Sequence, residues 1–241
     1  MPKPLILIPT YNEAKNIEVL INQILSLNIS CLILVVDDNS PDGTGKIVDK
    51  LALRHPQIKI IHRQGKRGRG LAGIEGMLYF LQEKEMDCLI EMDADLSHDP
   101  SYIPEFLKEI QDYGLVIGSR TIKGGAEKYR HIIRKWISLF AHVYLRLILG
   151  LKVRDPSSGY RCFRKEVLAK IGLDKFISQG PSLVSEILYV VSQKNNFSIK
   201  EIPIIFEDRK FGDSKLTLKI LLQNLIFPLR LRLNSLLQKF K

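Results

Sequence analysis

The first 119 residues alternate between short apolar runs and stretches of helical periodicity, and this alternation restricts the possible architectures more than any other feature. Pro4–Ile8, Leu32–Val36, Ile58–His62, Cys88–Met92 and Leu115–Gly118 are rich in Ile, Leu and Val, as strands buried on both faces require. Between them, Ala14–Leu27, Gly45–Arg54, Leu71–Glu83 and Tyr102–Tyr113 predict crossover helices. The order strand–helix–strand implies an α/β fold, a mostly parallel sheet with helices on both faces. Such sheets bind ligands beyond the carboxyl ends of their strands, so the polar residues that follow each strand are the candidates for chemistry.

After residue 120 the pattern changes. Ile132–Leu151 repeats Trp136, Phe140, Val143, Tyr144, Leu147 and Ile148 at helical spacing, interrupted by Arg134, Lys135 and Arg146, which predicts an amphipathic interface helix within 130–151. Lys165–Ile171 and Leu183–Gln193 predict further helices, Ile199–Phe206 a strand, and Leu216–Phe240 a helical tail broken at Pro228. The longest charge-free stretch of the tail, Ile220–Leu229, is well short of the ~20 residues that span a bilayer. An interfacial role and simple packing on the core both remain open for it.

Composition narrows the setting. Three scattered cysteines, Cys31, Cys88 and Cys162, form no C-x-x-C pair, which argues against a disulfide framework or a structural zinc site. Met1-Pro2-Lys3-Pro4 leads directly into a strand and does not read as a signal peptide, so a protein on the cytoplasmic side is expected. The net charge of +10 is uneven: residues 120–165 carry twelve Lys/Arg against Glu127 and Asp155, and residues 205–241 carry eight against three acids. Basic residues among long apolar side chains suit an anionic membrane surface or a phosphate-bearing ligand.

Several motifs stand where strands end. Asp93 and Asp95 of Met92-Asp93-Ala94-Asp95 place two carboxylates where they can converge on a hard cation, Mg²⁺ or Mn²⁺, with room left for substrate phosphates. Asp37-Asp38 ends another strand and offers acceptors to ribose hydroxyls or base N–H groups. In Pro9-Thr10-Tyr11-Asn12-Glu13, Thr10 or Asn12 suits a helix cap, Tyr11 can stack on a base and Glu13 can accept from it. Gly68-Arg69-Gly70-Leu71-Ala72-Gly73 matches a dinucleotide fingerprint literally, but it follows the third strand and not the first. With Lys66 before it, it fits better a loop that approaches phosphates. Arg120 ends the fifth strand, and Arg209 and Lys215 flank a Gly-containing loop, 207–215, suited to closing over a ligand. His98 reads as a brace for the acidic turn.

Together P-T-Y-N-E (9–13), V-V-D-D-N-S-P-D-G-T (35–44), M-D-A-D-L-S-H-D-P (92–100), G-S-R (118–120), D-P-S-S-G-Y-R (155–161) and R-K-F-G-D-S-K (209–215) resemble the family 2 glycosyltransferases, within them the dolichol-phosphate (polyprenol-phosphate) mannosyltransferases. The resemblance runs in order over residues 4–215. It implies a GT-A fold, a Rossmann-like sandwich with one nucleotide-sugar site, as a catalytic domain over 1–215 with C-terminal amphipathic helices over 216–241. By it Pro9, Tyr11, Glu13, Val36 and Asp38 hold the nucleoside. Asp93, Ala94 and Asp95 form the metal and diphosphate turn, with Asp95 the best single ligand. Arg120, Arg209 and Lys215 contact donor or acceptor phosphates and, with Asp95, carry catalysis. Lys66, Arg134 and Asp155 complete the substrate contacts.

The chain also departs from the family pattern. Lys66-Arg67-Gly68-Arg69-Gly70-Leu71-Ala72-Gly73 stands where K-L-G-L-G-[ST]-A-Y is usual, Ser97 where some members use Gln toward the metal, and Gln179–Glu186 lacks the usual aromatic–Gln pair. The implied reaction is transfer of mannose from GDP-mannose to a polyprenyl monophosphate, with inversion. The implied partners are the two substrates, a membrane surface held peripherally and an anchoring subunit, with no nucleic acid. Two rivals are another donor, such as UDP-glucose, with the same acceptor, and a basic membrane- or nucleic-acid-binding protein. The acidic mouth of Asp37, Asp38, Asp93 and Asp95 argues against nucleic acid, because it would repel a phosphate backbone.

Overall fold

The computed structural model describes residues 1–128, 132–176, 178, 180, 182–193, 197–207 and 225–233. The expected strands form at the expected places: β1 (Pro4–Thr10), β2 (Leu32–Asp37), β3 (Ile58–His62), β4 (Cys88–Glu91) and β5 (Leu115–Ser119). The crossover helices are α1 (Ile17–Ser26), α2 (Thr44–Arg54), α3 (Arg69–Gln82) and α4 (Ile103–Glu109), the last preceded by a short 3-10 turn over Pro100–Tyr102. In β1 and β2 every residue but Leu32 is buried, because helices cover both faces of the sheet. One apolar cluster joins Ile6, Ile8, Ile33 and Val35 to α1, α2 and α4, while the other joins Leu5, Leu7, Leu34 and Val36 to α3.

The chain order beyond β5 holds two short strands absent from the sequence reading, β6 (Ala126–Lys128) and β7 (Arg161–Arg164), then α5 (Ile132–Leu149), α6 (Lys165–Ile171) and α7 (Leu183–Gln193). The main sheet runs β3-β2-β1-β4-β7-β5-β8, with β8 over Ile199–Pro203. All its pairings are parallel except those of β7, which lies antiparallel between β4 and β5. Arg-Cys-Phe-Arg offers no apolar run to signal a strand. Arg161 nonetheless sits fully buried, donating to the carbonyl oxygens of Ser158, Val184 and Pro156. Burial pushes its pKa down to about 10, against the pull of Glu91 and Asp155.

The single strand expected over Ile199–Phe206 is two. Pro203 has no N–H to extend the ladder, and the chain changes partner at Ile204. The Ile204 amide donates to the Ser119 carbonyl at 3.0 Å, and its own carbonyl accepts from Ala126 at 3.0 Å. β9 (Ile205–Glu207) then pairs with β6 as a separate two-stranded ribbon beside the end of β5. Residues 225–233 are helical straight through Pro228, so the break expected there does not occur. The rest of the predicted tail lies outside the described residues.

Close helix–strand packing explains the glycine-rich start of α3. A methyl group at position 76 would collide with Leu7, and one at position 73 would approach Glu91 Oε1 to 3.2 Å. Gly76 lets α3 lie directly on β1, while Gly73, the last glycine of the literal dinucleotide pattern, faces Glu91 of β4.

Candidate active site

The loops after β1 and β2 are laced together. The Asn12 amide donates to Ser40 Oγ at 3.0 Å, the Glu13 amide to Thr44 Oγ1 at 2.9 Å and the Ala14 amide to Asp42 Oδ2 at 3.0 Å. Pro9 and Val36 are register partners at adjacent strand ends, both buried. Asp37 is a structural residue: its carboxylate accepts from Thr10 Oγ1 at 2.9 Å and from the Ser40 hydroxyl at 2.6 Å and amide at 2.9 Å. Asp38 accepts from Arg63 on one oxygen and from the Gly68 amide at 2.6 Å on the other. Glu13 accepts from Asn16 Nδ2 at 2.8 Å, and Tyr11 accepts from Arg67 at 2.8 Å. Lys66 is exposed on the same loop as Arg67.

The acidic turn follows β4. Asp95 Oδ1 accepts from the Ser97 hydroxyl at 2.5 Å and amide at 3.2 Å, and Ala94 is buried beneath it. Asp93 pairs with Arg69 Nε at 2.8 Å, and Arg69 also lies 3.3 Å from the buried Glu91. Asp93 and Glu91 hold this guanidinium above its usual pKa despite burial. Burial raises the Glu91 pKa, opposed by Arg69 and Arg161. His98 does brace the turn: its Nδ1 accepts from the Asp93 amide at 2.9 Å, and its ring stacks on Tyr160 with centroids 4.8 Å apart. Burial lowers its pKa against the opposing pull of Asp93 and Asp95, which keeps the imidazole neutral.

Beside this turn, Arg120 leaves β5 in a bidentate grip on Asp155, with Nε to Oδ2 and Nη2 to Oδ1 both at 2.7 Å and its own amide to Oδ2 at 3.0 Å. Asp155 is fully buried, yet the Arg120 hydrogen bonds outweigh desolvation and pull its pKa down to about 2. Arg120 also lies 3.4 Å from Glu127 and 5.3 Å above the Phe206 ring. The link continues to α5: Ser157 Oγ accepts from Arg120 Nη2 at 2.8 Å and stands 2.7 Å from His142 Nε2. An open cleft of about 280 Å³ runs from Asp95 and Ser97 past Tyr102 to Lys128 and Glu207 of the β6–β9 ribbon.

Oxygen donors at this turn suit a divalent ion shared with a substrate. Among the described residues no group of three or more His, Cys, Asp or Glu could hold a metal alone. Asp95 with Ser97, and Asp93 beside them, offer hard ligands whose remaining positions phosphate oxygens and water would fill.

The fold therefore gathers Pro9, Tyr11, Glu13, Val36, Asp38 and Lys66 along one end of the sheet, and Asp93, Ala94, Asp95, Arg120 and Asp155 at its centre. Arg209 and Lys215 lie outside the described residues, as does the side chain of Arg134. Arg63, Arg69, Ser157 and His142 were not anticipated. Arg63 follows β3 directly, and the rule that directs attention to strand ends would have found it. Ser157 and His142 meet across fifteen residues of sequence, a contact with no local signature.

Comparison with known proteins agrees with this fold. The chain is 38% identical over 213 residues to an undecaprenyl-phosphate mannosyltransferase of Micrococcus luteus, covering 88% of this chain and 87% of the relative. It is 38% identical over 218 residues to a polyprenol monophosphomannose synthase of Mycolicibacterium smegmatis, covering 89% and 81%. A mannosyltransferase of Pyrobaculum calidifontis, solved with GDP-Man and Mn²⁺, superimposes with a TM-score of 0.61 at 16% identity, over 98% of this chain and 64% of the other. Residues 5–172 match the model of glycosyl transferase family 2. The mostly parallel sheet with one reversed strand is the fold of the solved GT-A glycosyltransferases, and with residues 5–172 matching its model the chain belongs to glycosyltransferase family 2.

Proposed function

We propose that this enzyme transfers mannose from GDP-mannose to a polyprenyl monophosphate, inverting the anomeric centre, at the cytoplasmic surface of a membrane. The observation that carries this reading is the joining of the Arg120–Asp155 pair to an amphipathic helix. His142 of α5 meets Ser157, a partner of Arg120, while the opposite face of α5 exposes Trp136 at 65%, Phe140 at 67% and Leu147 at 76%. A cation that suits phosphate is thereby tied to a surface that suits lipid, the two chemistries of a polyprenyl phosphate. The names of the relatives at 38% identity support the same acceptor and sugar. The GDP-Man bound to the Pyrobaculum enzyme supports the donor.

In this mechanism a phosphate oxygen of the acceptor attacks the anomeric carbon as the bond to the GDP β-phosphate oxygen breaks, and the electron pair leaves with GDP. The acceptor phosphate is already ionised near neutral pH, so no side chain need remove a proton. Arg120, its charge already shared with Asp155 and Glu127, is assigned to orient a phosphate through hydrogen bonds, and Asp155 fixes it in place, which makes positioning and electrostatics the main sources of rate. Asp95, with Asp93 and Ser97 beside it, would hold Mg²⁺ or Mn²⁺, which when bound neutralises the departing diphosphate. Arg209 and Lys215 are assigned to phosphate contacts, and Lys66 and Arg134 to the substrate edges. Residues 1–215 are proposed as the catalytic domain and 216–241 as an amphipathic tail on the membrane.

The test offers purified enzyme Mg²⁺ or Mn²⁺, a polyprenyl phosphate and, separately, radiolabelled GDP-mannose and UDP-glucose, and counts label in the organic phase. Label from GDP-mannose alone is expected. Label from UDP-glucose instead would overturn the donor, and none from either, beside an active relative, would overturn the acceptor.

A further inference from the structure

The nucleoside end of the site contains a guanidinium unlike its neighbours. Arg67 lies over the Tyr11 ring, 4.8 Å from the centroid, with Nη1 donating to the phenol oxygen at 2.8 Å and Nη2 reaching the Asn39 carbonyl at 3.5 Å. It therefore spans the loops after β1 and β2, across the face on which a base would stack. Arg63 and Arg69 are held by carboxylates. Arg67 is exposed, and its described partners are neutral oxygens that a ligand's own acceptors can replace.

We propose that Arg67 reads the nucleobase and selects guanine nucleotides over pyrimidine nucleotides. This deepens the GDP-mannose reading and rests on Tyr11 as the stacking platform. A base laid on Tyr11 takes the position the guanidinium now covers, which moves Arg67 to the rim of the base with its fork facing the edge. Guanine offers two adjacent acceptors there, O6 and N7, matched to a bidentate guanidinium. Uracil offers a single O4, and adenine sets an amino donor beside N7, which the fork repels. Asp38, held by Arg63 and the Gly68 amide, is an acceptor only and cannot read O6 or N7, which leaves that edge to Arg67.

Calorimetric titration of the full chain with GDP, IDP, ADP and UDP in Mn²⁺ tests this, comparing wild type with Arg67→Leu and Arg67→Lys. Wild type should bind GDP and IDP, which share O6 and N7, about tenfold more tightly than ADP and UDP. Arg67→Leu should weaken GDP and IDP about tenfold and leave UDP within about twofold. Arg67→Lys should resemble Arg67→Leu, since a point charge cannot fork. Equal loss for GDP and UDP would make Arg67 a phosphate contact and overturn the proposal. A guanine preference intact in Arg67→Leu would overturn it alone, leaving the GDP-mannose reading standing. A wild type that prefers UDP would remove both.

Discussion

His142 Nε2 and Ser157 Oγ stand 2.7 Å apart, and Ser157 receives Arg120 Nη2 at 2.8 Å, so a helix with an apolar outer face and a phosphate-suited cation share one hydroxyl. Ser157→Ala removes the shared atom while leaving the Arg120–Asp155 grip in place. Transfer should fall several-fold, and urea unfolding should register a loss of about 1 kcal/mol, the scale of one hydrogen-bonded hydroxyl. Unchanged kinetics would exclude the Ser157 hydroxyl as the link and leave the 3.5 Å approach of His142 to Asp155 between α5 and the pair.

Acid should disarm the Arg120–Asp155 pair. Asp155 titrates at about 2 in the folded protein, below the ~3.9 of an unfolded Asp, so its contribution is complete above the unfolded value and lost as pH falls from about 4 to about 2. Asp155→Asn should therefore be less stable than wild type by about 2 kcal/mol at pH 7, and the gap should shrink steadily through that window. Urea titrations at pH 7, 4 and 3 read the difference directly.

Asp95→Ala takes away a partly exposed carboxylate that accepts from Ser97 and belongs to neither apolar cluster, so the core should survive. Circular dichroism should match wild type, while transfer drops at least about a hundredfold. Full activity in the variant would sink the assignment of the acidic turn.

On the outer face of α5, Trp136→Ala with Phe140→Ala removes two exposed aromatic rings. Cosedimentation with anionic vesicles should fall about tenfold or more, while nucleotide binding in solution stays unchanged. Equal sedimentation of the double variant and wild type would count against lipid contact at this helix.

What could be read from the chain depended on how local the cause was. Buried parallel strands such as Leu32–Asp37 announce themselves because both faces need apolar residues, and the first polar residue after each marks the ligand edge. β7 was invisible for the opposite reason: its four residues begin and end with arginine, and the buried Arg161 is made tolerable by the carbonyl oxygens of Pro156 and Ser158 just before it and of the distant Val184. The site divided the same way. Asp95 and Arg120 draw attention from sequence because they follow strands, and Asp155 only through the resemblance, while the engagement of Asp38 by Arg63 depends on β2 and β3 lying side by side. Whether a carboxylate is open to a ligand or already held is a property of packing, which spacing does not encode.

The reversed β7 also sets the order in which this protein can be made. β4 and β5 do not touch each other through backbone hydrogen bonds, because β7 stands between them, and its residues come more than forty positions after β5 begins. A nascent chain that has left the ribosome only as far as α5 holds β1 to β4 as a paired unit with an open β4 edge, and β5 with no place in it. Until Arg161–Arg164 emerge, that apolar edge is the surface a chaperone would shield and a stalled chain would aggregate through.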